Sequence, residues 1–323
     1  MDKQKREQAQ ELLEAKLQEI ASSNGSTVEM AKLANMPYDA ELPVPVEIME
    51  VALTGSVAVG EDYYYFVISP DGKVVTTITD GSLTNLNVTP DTEAELTFHS
   101  YSSNVYNVYL EKILEAKYDA ILQQTNKANE SLNRKEVGDL VRALFLSAEG
   151  RSNTYALDSS DTKIDREKIR EMVRSLAKYG NKIVMISGGN VTTDLLDLDY
   201  DENKQREVTL EKLGINKWIK IEELLYTHSG AKKVLDANYA LVVATSDADA
   251  QKCIHFIRRK TKSIDGSGEK ERVVVVAGPM VSIDTAQKWA YKVGMMEQYG
   301  IVVTNTYVVA AFDNAASYVT YSA

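Results

Sequence analysis

A chain of 323 residues with 44% hydrophobic content can bury a core for one large or two ordinary domains, which excludes wholesale disorder. Its 36 Lys and Arg against 47 Asp and Glu leave a formal charge of −11, an acidic balance that argues against a dedicated nucleic-acid grip. One cysteine, Cys253, and three separated histidines, His99, His228 and His255, exclude an internal disulfide and a Cys/His zinc cluster, so stability must come from packing and assembly.

Residues 1–20 are too charged for a signal peptide, and no apolar run approaches bilayer length, so the expectation is a protein made and kept in a cytoplasm with no membrane partner. Ala9, Leu13, Leu17 and Ile20 fall at helical spacing and give a narrow apolar stripe that needs a partner. Residues 28–45 carry Pro37, Pro43 and Pro45, each of which holds its predecessor extended, so this stretch is expected to be an arm lying across something else.

Residues 46–110 are rich in Val, Thr, Tyr and Ile between turn residues, the composition of β-structure. The clearest unit is a hairpin of strands 63–68 and 74–79 around Ser69-Pro70-Asp71-Gly72-Lys73, with Pro and Asp-Gly in turn positions. The second strand lacks a clean apolar face. Tyr63, Tyr64 and Phe66 on the first, with Lys73 at the tip and Leu13 and Leu17 on the N-terminal helix, are the candidate assembly residues. The 18 tyrosines, against five Phe and two Trp, suit either contact surfaces or half-buried strands.

Helices follow. Leu110, Leu114, Tyr118, Ile121 and Leu122 share one helical face, and a polar stretch over 125–131 predicts a break. A second helix is expected over 133–150, with Asn133 as N-cap, Glu136 as its capping-box partner, Leu132 and Val137 as a staple, and Gly150 as a left-handed stop. A polar linker over 151–162 leads to a helix capped by Asp165, stapled by Ile164 and Ile169, with Ile169, Met172, Val173 and Leu176 inward, closed by Gly180. The run 182–186 is continuously apolar, as a strand covered on both faces is. Further strands are expected at 240–244, 254–257 and 272–277. A last helix is expected over 284–299 with Ala286, Trp289, Ala290 and Val293 inward, then strands at 301–303 and 307–312.

The search for chemistry is negative. Ser187-Gly188-Gly189-Asn190 sits where backbone amides cradle phosphate, yet it lacks the spaced glycines of a dinucleotide fingerprint and the Gly-Lys-Ser/Thr of a phosphate loop. Asp197, Asp199 and Asp201 alternate like a calcium loop, but Glu202 stands where its glycine belongs and Val208 where its bidentate glutamate belongs. Cys253 and His255, two apart, share a strand face without a nucleophile motif around them. Arg258-Arg259-Lys260 with Lys262 could meet phosphates or the acidic surface of another copy, or be a solvated strand end.

The order of elements is what remains. An arm, a hairpin around residues 63–79, strands, a long helix ending Ser147-Ala148-Glu149-Gly150, a helix and buried strand over 169–186, and a terminal segment from Gln298-Tyr299-Gly300-Ile301-Val302-Val303 to Phe312 resemble the major capsid proteins of tailed bacteriophages. That is the Hong Kong 97-like fold, shared with encapsulins. The resemblance implies an α+β chain divided into an N-terminal helix and arm over 1–45 and an extended hairpin loop with flanking strands over 46–100. A peripheral domain would take 101–151 and 284–323, with the long spine helix, and an axial domain 152–283. It implies a structural protein rather than an enzyme, with no cofactor and no metal, that self-assembles into hexamers and pentamers of an icosahedral virion shell around double-stranded DNA held without tight binding. Partners would be further copies, with portal, scaffolding and decoration proteins, and assembly would occur in the host bacterial cytoplasm. The alternatives are an encapsulin-like compartment, another phage or cell-surface structural protein, or an α/β enzyme using the Ser187–Asn190 turn.

Overall fold

The computed structural model describes residues 46–66, 77–79, 82–84, 93–109, 119–156, 166–193, 200–201, 206–207, 213–221, 224–227, 230–233, 235, 238–249, 252–262, 268–282 and 288–313. The expected helix over 1–20 with Leu13 and Leu17, the arm over 28–45, the turn with Lys73, the cap at Asp165 with its staple residue Ile164, and Asp197 and Asp199 lie outside these residues.

Two sheets and two helices organise the described chain. In chain order the strands are β1 (Leu53–Val57), β2 (His99–Ser102), β3 (Tyr106–Tyr109), β4 (Thr154–Ala156), β5 (Lys182–Ser187), β6 (Lys217–Lys220), β7 (Tyr239–Thr245), β8 (Ile254–Arg259), β9 (Arg272–Ser282), β10 (Lys288–Val303) and β11 (Val309–Asp313). The helices are α1 (Asp119–Gly150) and α2 (Arg166–Leu176).

One sheet has the order β6-β5-β7-β11-β4. Strands β5 and β7 are apolar at nearly every position, and β7 is buried throughout, because α-helical packing covers this sheet rather than water. The other sheet is built around β10. Strands β8 and β9 follow one another along one edge of β10, and β2 and β3 along the other, while β1 runs parallel to β8. The expected division at 283/284 does not coincide with these sheets. Residues 254–282 join 288–303 in one sheet, and 309–313 joins the strands at 154–156 and 239–245 in the other.

The helix expected over 284–299 is corrected to the 16-residue strand β10. Its buried Tyr291, Val293, Met295, Glu297 and Tyr299 alternate with exposed Lys292 and Met296. That is a period of two, hidden because an acid is buried and an apolar residue exposed. Spacing alone also fitted a helix; ladders on both edges decide for the strand.

The expected break at 125–131 is likewise corrected, since α1 is continuous for 32 residues, or roughly 48 Å. Asn133 is therefore a buried mid-helix residue rather than an N-cap, and Glu136 turns to arginines of the sheet instead of the helix start. Val137, Leu140, Val141, Leu144 and Ala148 face the core as expected. The left-handed residue after α1 is Ser152, at φ 53°, and not Gly150. In α2 the inward residues Ile169, Met172, Val173 and Leu176 are those of the sequence pattern. Gly180 then works by close approach: a Cβ there would stand 2.5 Å from the Thr245 carbonyl oxygen. Tyr307 belongs to a 3-10 turn, Thr306–Val308, ahead of β11, with Asn305 Oδ1 accepting from the Tyr307 amide at 3.0 Å.

The described parts of the expected hairpin strands do not pair with each other. Tyr64–Phe66 pairs with Glu93–Glu95, and Thr77–Thr79 pairs with Ser82–Thr84. The strand at 93–95 competes for the edge that a simple two-stranded unit would have used.

Candidate functional site

The sequence motifs weighed for catalysis are occupied in structural work. In the Ser187–Asn190 turn, the Ser187 hydroxyl lies 2.9 Å from Thr192 Oγ1 and accepts from Trp218 Nε1 at 2.7 Å. The Gly188 amide donates to the Tyr239 carbonyl at 2.9 Å, so it fastens β5 to β7 rather than waiting for a phosphate. Cys253 is half-buried, and burial raises its thiol above the ordinary range, the wrong direction for a nucleophile. His255 turns to Tyr63, whose hydroxyl lies 2.6 Å from Nδ1, and burial lowers the imidazole and holds it neutral. Asp201 sits in a two-residue ribbon opposite Arg206. Among the described residues, no cluster of three or more His, Cys, Asp or Glu could hold a metal, and no helix is long and apolar enough to cross a membrane.

Two arginines of the basic run are engaged within the chain, while Lys262 is exposed. Arg258 grips Glu136 with both forks, Nε to Oε1 at 2.7 Å and Nη2 to Oε2 at 2.8 Å. Arg259 donates to the Glu61 carbonyl at 2.6 Å, meets Asp62 at 3.0 Å and covers the Phe98 ring. Lys260 uses its backbone amide to bond the Val57 carbonyl.

The Arg258–Glu136 contact belongs to a buried ionic layer between α1 and the β10 sheet. Glu136 from α1 is 2% exposed and Glu297 from β10 is 1% exposed. Arg272 from β9 joins them, with Nη2 2.9 Å from Glu136 and Nε donating to Glu297 at 2.6 Å. Two carboxylates and two guanidiniums thus balance in a place where an unpaired charge would be costly. Burial, and then the Glu136 carboxylate, push Glu297 up to about 7, although Arg272 pulls the other way. One turn further along α1, Asp139 accepts from the Tyr299 hydroxyl at 2.7 Å and pairs with Lys135 at 2.6 Å. Burial and Asp139 raise the Tyr299 phenol, which stays a donor. Tyr299 is stacked between Tyr101 and Phe256, at ring separations of 4.3 and 5.1 Å.

Sequence reasoning missed this layer because its members lie far apart in the chain, Glu136 fits a capping box and Glu297 falls inside the stretch expected to be a helix over 284–299. The available signal was the alternation in 291–299, where Glu297 falls in phase with Tyr291, Val293 and Tyr299. Of the assembly candidates, Tyr63 meets His255. Tyr64 and Phe66 lie on the strand paired with 93–95, and Lys73, Leu13 and Leu17 are not among the described residues. Among the described residues, the large apolar side chains that face solvent are Val59, Val105, Leu146 and Met296. Val105 and Met296 lie on the β10 face turned away from α1.

No protein-family model matches the sequence, and no curated protein matches it significantly. Solved structures do. A structure from Microbacterium phage Oxtober96 is similar at 13% identity, covering 87% of this chain and 94% of that one, with a TM-score of 0.53. One from Mycobacterium phage Bobi is similar at 13% identity, covering 90% and 99%, with a TM-score of 0.52. A capsid structure of the cyanophage P-SCSP1u is 9% identical, over 88% and 91%, with a TM-score of 0.49. The fold is α+β and Hong Kong 97-like, as the order of elements implies.

Proposed function

We propose that this chain is the major capsid protein of a tailed bacteriophage, a structural subunit that assembles into hexamers and pentamers of an icosahedral head around double-stranded DNA. The observation that carries the reading is the end-to-end likeness, 90% of this chain on 99% of a phage structure, which concerns the whole molecule rather than one grafted site. The buried ionic layer supports it. Four charged groups locked between α1 and a sheet make a stiff subunit without adding reactive chemistry. In this reading 1–45 is an arm, 58–98 holds a loop reaching a neighbour, α1 with the β10 sheet is the peripheral region and the sheet of β5, β7 and β11 is the axial region. The location is the virion, after assembly in the bacterial cytoplasm, with portal, scaffolding and decoration proteins as further partners.

The test is the assembly state of the purified chain, by sedimentation and negative-stain microscopy across salt and pH, alone and with a co-expressed scaffolding protein. Closed shells, or rings of five and six copies, are expected. A species that sediments as a single chain under every condition overturns the reading.

A further inference from the structure

A cleft of about 400 Å³ opens where α1 and α2 both end, beside the 3-10 turn before β11. Its described lining includes Arg151, Arg174 and Lys178 and no acidic side chain. The Tyr179 and Tyr307 rings stack 5.7 Å apart at its edge. Arg151 is held in place, its Nε donating to Thr306 Oγ1 at 2.8 Å and its guanidinium lying 4.9 Å from the Tyr307 ring centre. Arg174 and Lys178 are exposed, and among the described residues neither meets a carboxylate.

The bland account is that these cations neutralise helix ends. Two helix C-termini supply about one negative charge together, at roughly half a charge each. Three cations exceed that by about two, in a chain whose formal charge is −11. The excess fits a ligand bearing more than one carboxylate, which planar guanidinium forks grip well.

The topology shows where such a ligand can come from. Strands β4, β5, β6 and β11 run parallel to one another, so all four begin at the same end of their sheet, and the cleft lies at that end. The chain leaves β5 at the other end, roughly 17 Å away along the strand, where Thr192 is bonded to Ser187. It then enters the most acidic stretch of the sequence, with Asp194, Asp197, Asp199, Asp201 and Glu202 within nine residues. A cationic cleft at one end of the sheet, and an acidic sequence that follows β5 beyond its other end, suit a head-to-tail contact between identical copies, the kind that closes into rings.

We propose that the Arg151–Arg174–Lys178 cleft receives the acidic stretch 194–202 of a neighbouring copy, forming a repeating contact around the capsomer. The inference rests on the shell-forming reading and names a contact within it. Carboxylates steer and register the approach of each copy to the next, and the stacked tyrosines give the contact a rigid floor.

Charge reversal tests it. Arg174→Glu with Lys178→Glu, and separately Asp197→Lys with Asp199→Lys and Asp201→Lys, should each leave the melting of the subunit unchanged. Each should lower the assembled fraction by about tenfold or more, a ΔΔG of about 1.4 kcal/mol per contact or above. Both sets of changes in one chain should restore assembly. So should mixing the two variant chains, read as recovery of rings of six, because copies can alternate around an even ring and cannot around a ring of five. Rescue in one chain without rescue on mixing would make the contact internal and overturn the proposal. Normal assembly of the cleft variant would overturn it, as would a defect that the acidic-stretch changes do not rescue. Shells that form normally but lose salt-sensitive DNA retention would assign the cleft to phosphate instead. If the unmodified chain never assembles, the shell reading itself fails, a result distinct from all of these.

Discussion

Glu297 is a carboxyl held where its charge is least welcome. Arg272 bonds it, Glu136 opposes it and Arg258 lies in the same layer, with burial the largest effect. The folded chain therefore keeps a proton that the unfolded chain releases near pH 4.3. Between there and about pH 7 the folded state binds more protons, so stability falls as pH rises through that window. Glu297→Gln keeps an acceptor for Arg272 and removes the charge. We expect the variant to match the native chain at pH 5 and exceed it at pH 8, by on the order of 1–3 kcal/mol. Melting curves at both pH values check this, and a difference that does not change with pH would refute it.

At the scale of elements, α1 and the β10 sheet are joined through Glu136. Its truncation would leave the Arg258 and Arg272 guanidiniums partly buried without their shared carboxylate. Glu136→Ala should lower the stability of the fold by about 3–5 kcal/mol, more than loss of a surface pair would. Denaturant midpoints give the number, with Lys135→Ala as the surface comparison. The same layer marks the limit of what was legible in the sequence. Strands β5, β7 and β8 and the inward face of α2 announced themselves, because long apolar runs and a clean 3.6 period have one cheap solution each. β10 did not, since its ladders come from residues 99–109 and 254–282 and no local pattern reports them. Nor did the continuity of α1, whose polar middle is stabilised by packing rather than by propensity. The cationic cleft was invisible for the same reason, because Arg151, Arg174 and Tyr307 meet only once the sheet has formed.

For the whole molecule, the assembly residues proposed on the strand at 64–66 can be separated from the subunit's own fold. Tyr64 and Phe66 occupy alternate positions of one strand. Changing both to Asp should leave a soluble chain with unchanged cooperative melting that no longer forms shells, since burying two unpaired carboxylates costs several kcal/mol, about 3 or more per site. Sedimentation and calorimetry together decide. Normal shells would remove this strand from the assembly contacts, and a chain that fails to melt cooperatively would place both residues in the core.

The order in which β1, β4, β10 and β11 follow one another has a consequence for biosynthesis. β1 has its parallel partner about 200 residues downstream, and β4 pairs with β11, the last described strand. Neither sheet can close before β10 and β11 have been translated, because the strands that complete them follow all the others described. Until then a nascent chain exposes open strand edges and the arginine side chains of the ionic layer, a state prone to capture by chaperones and to aggregation. Translation order therefore acts as a timer: a copy synthesised only as far as β9 cannot present a finished sheet surface.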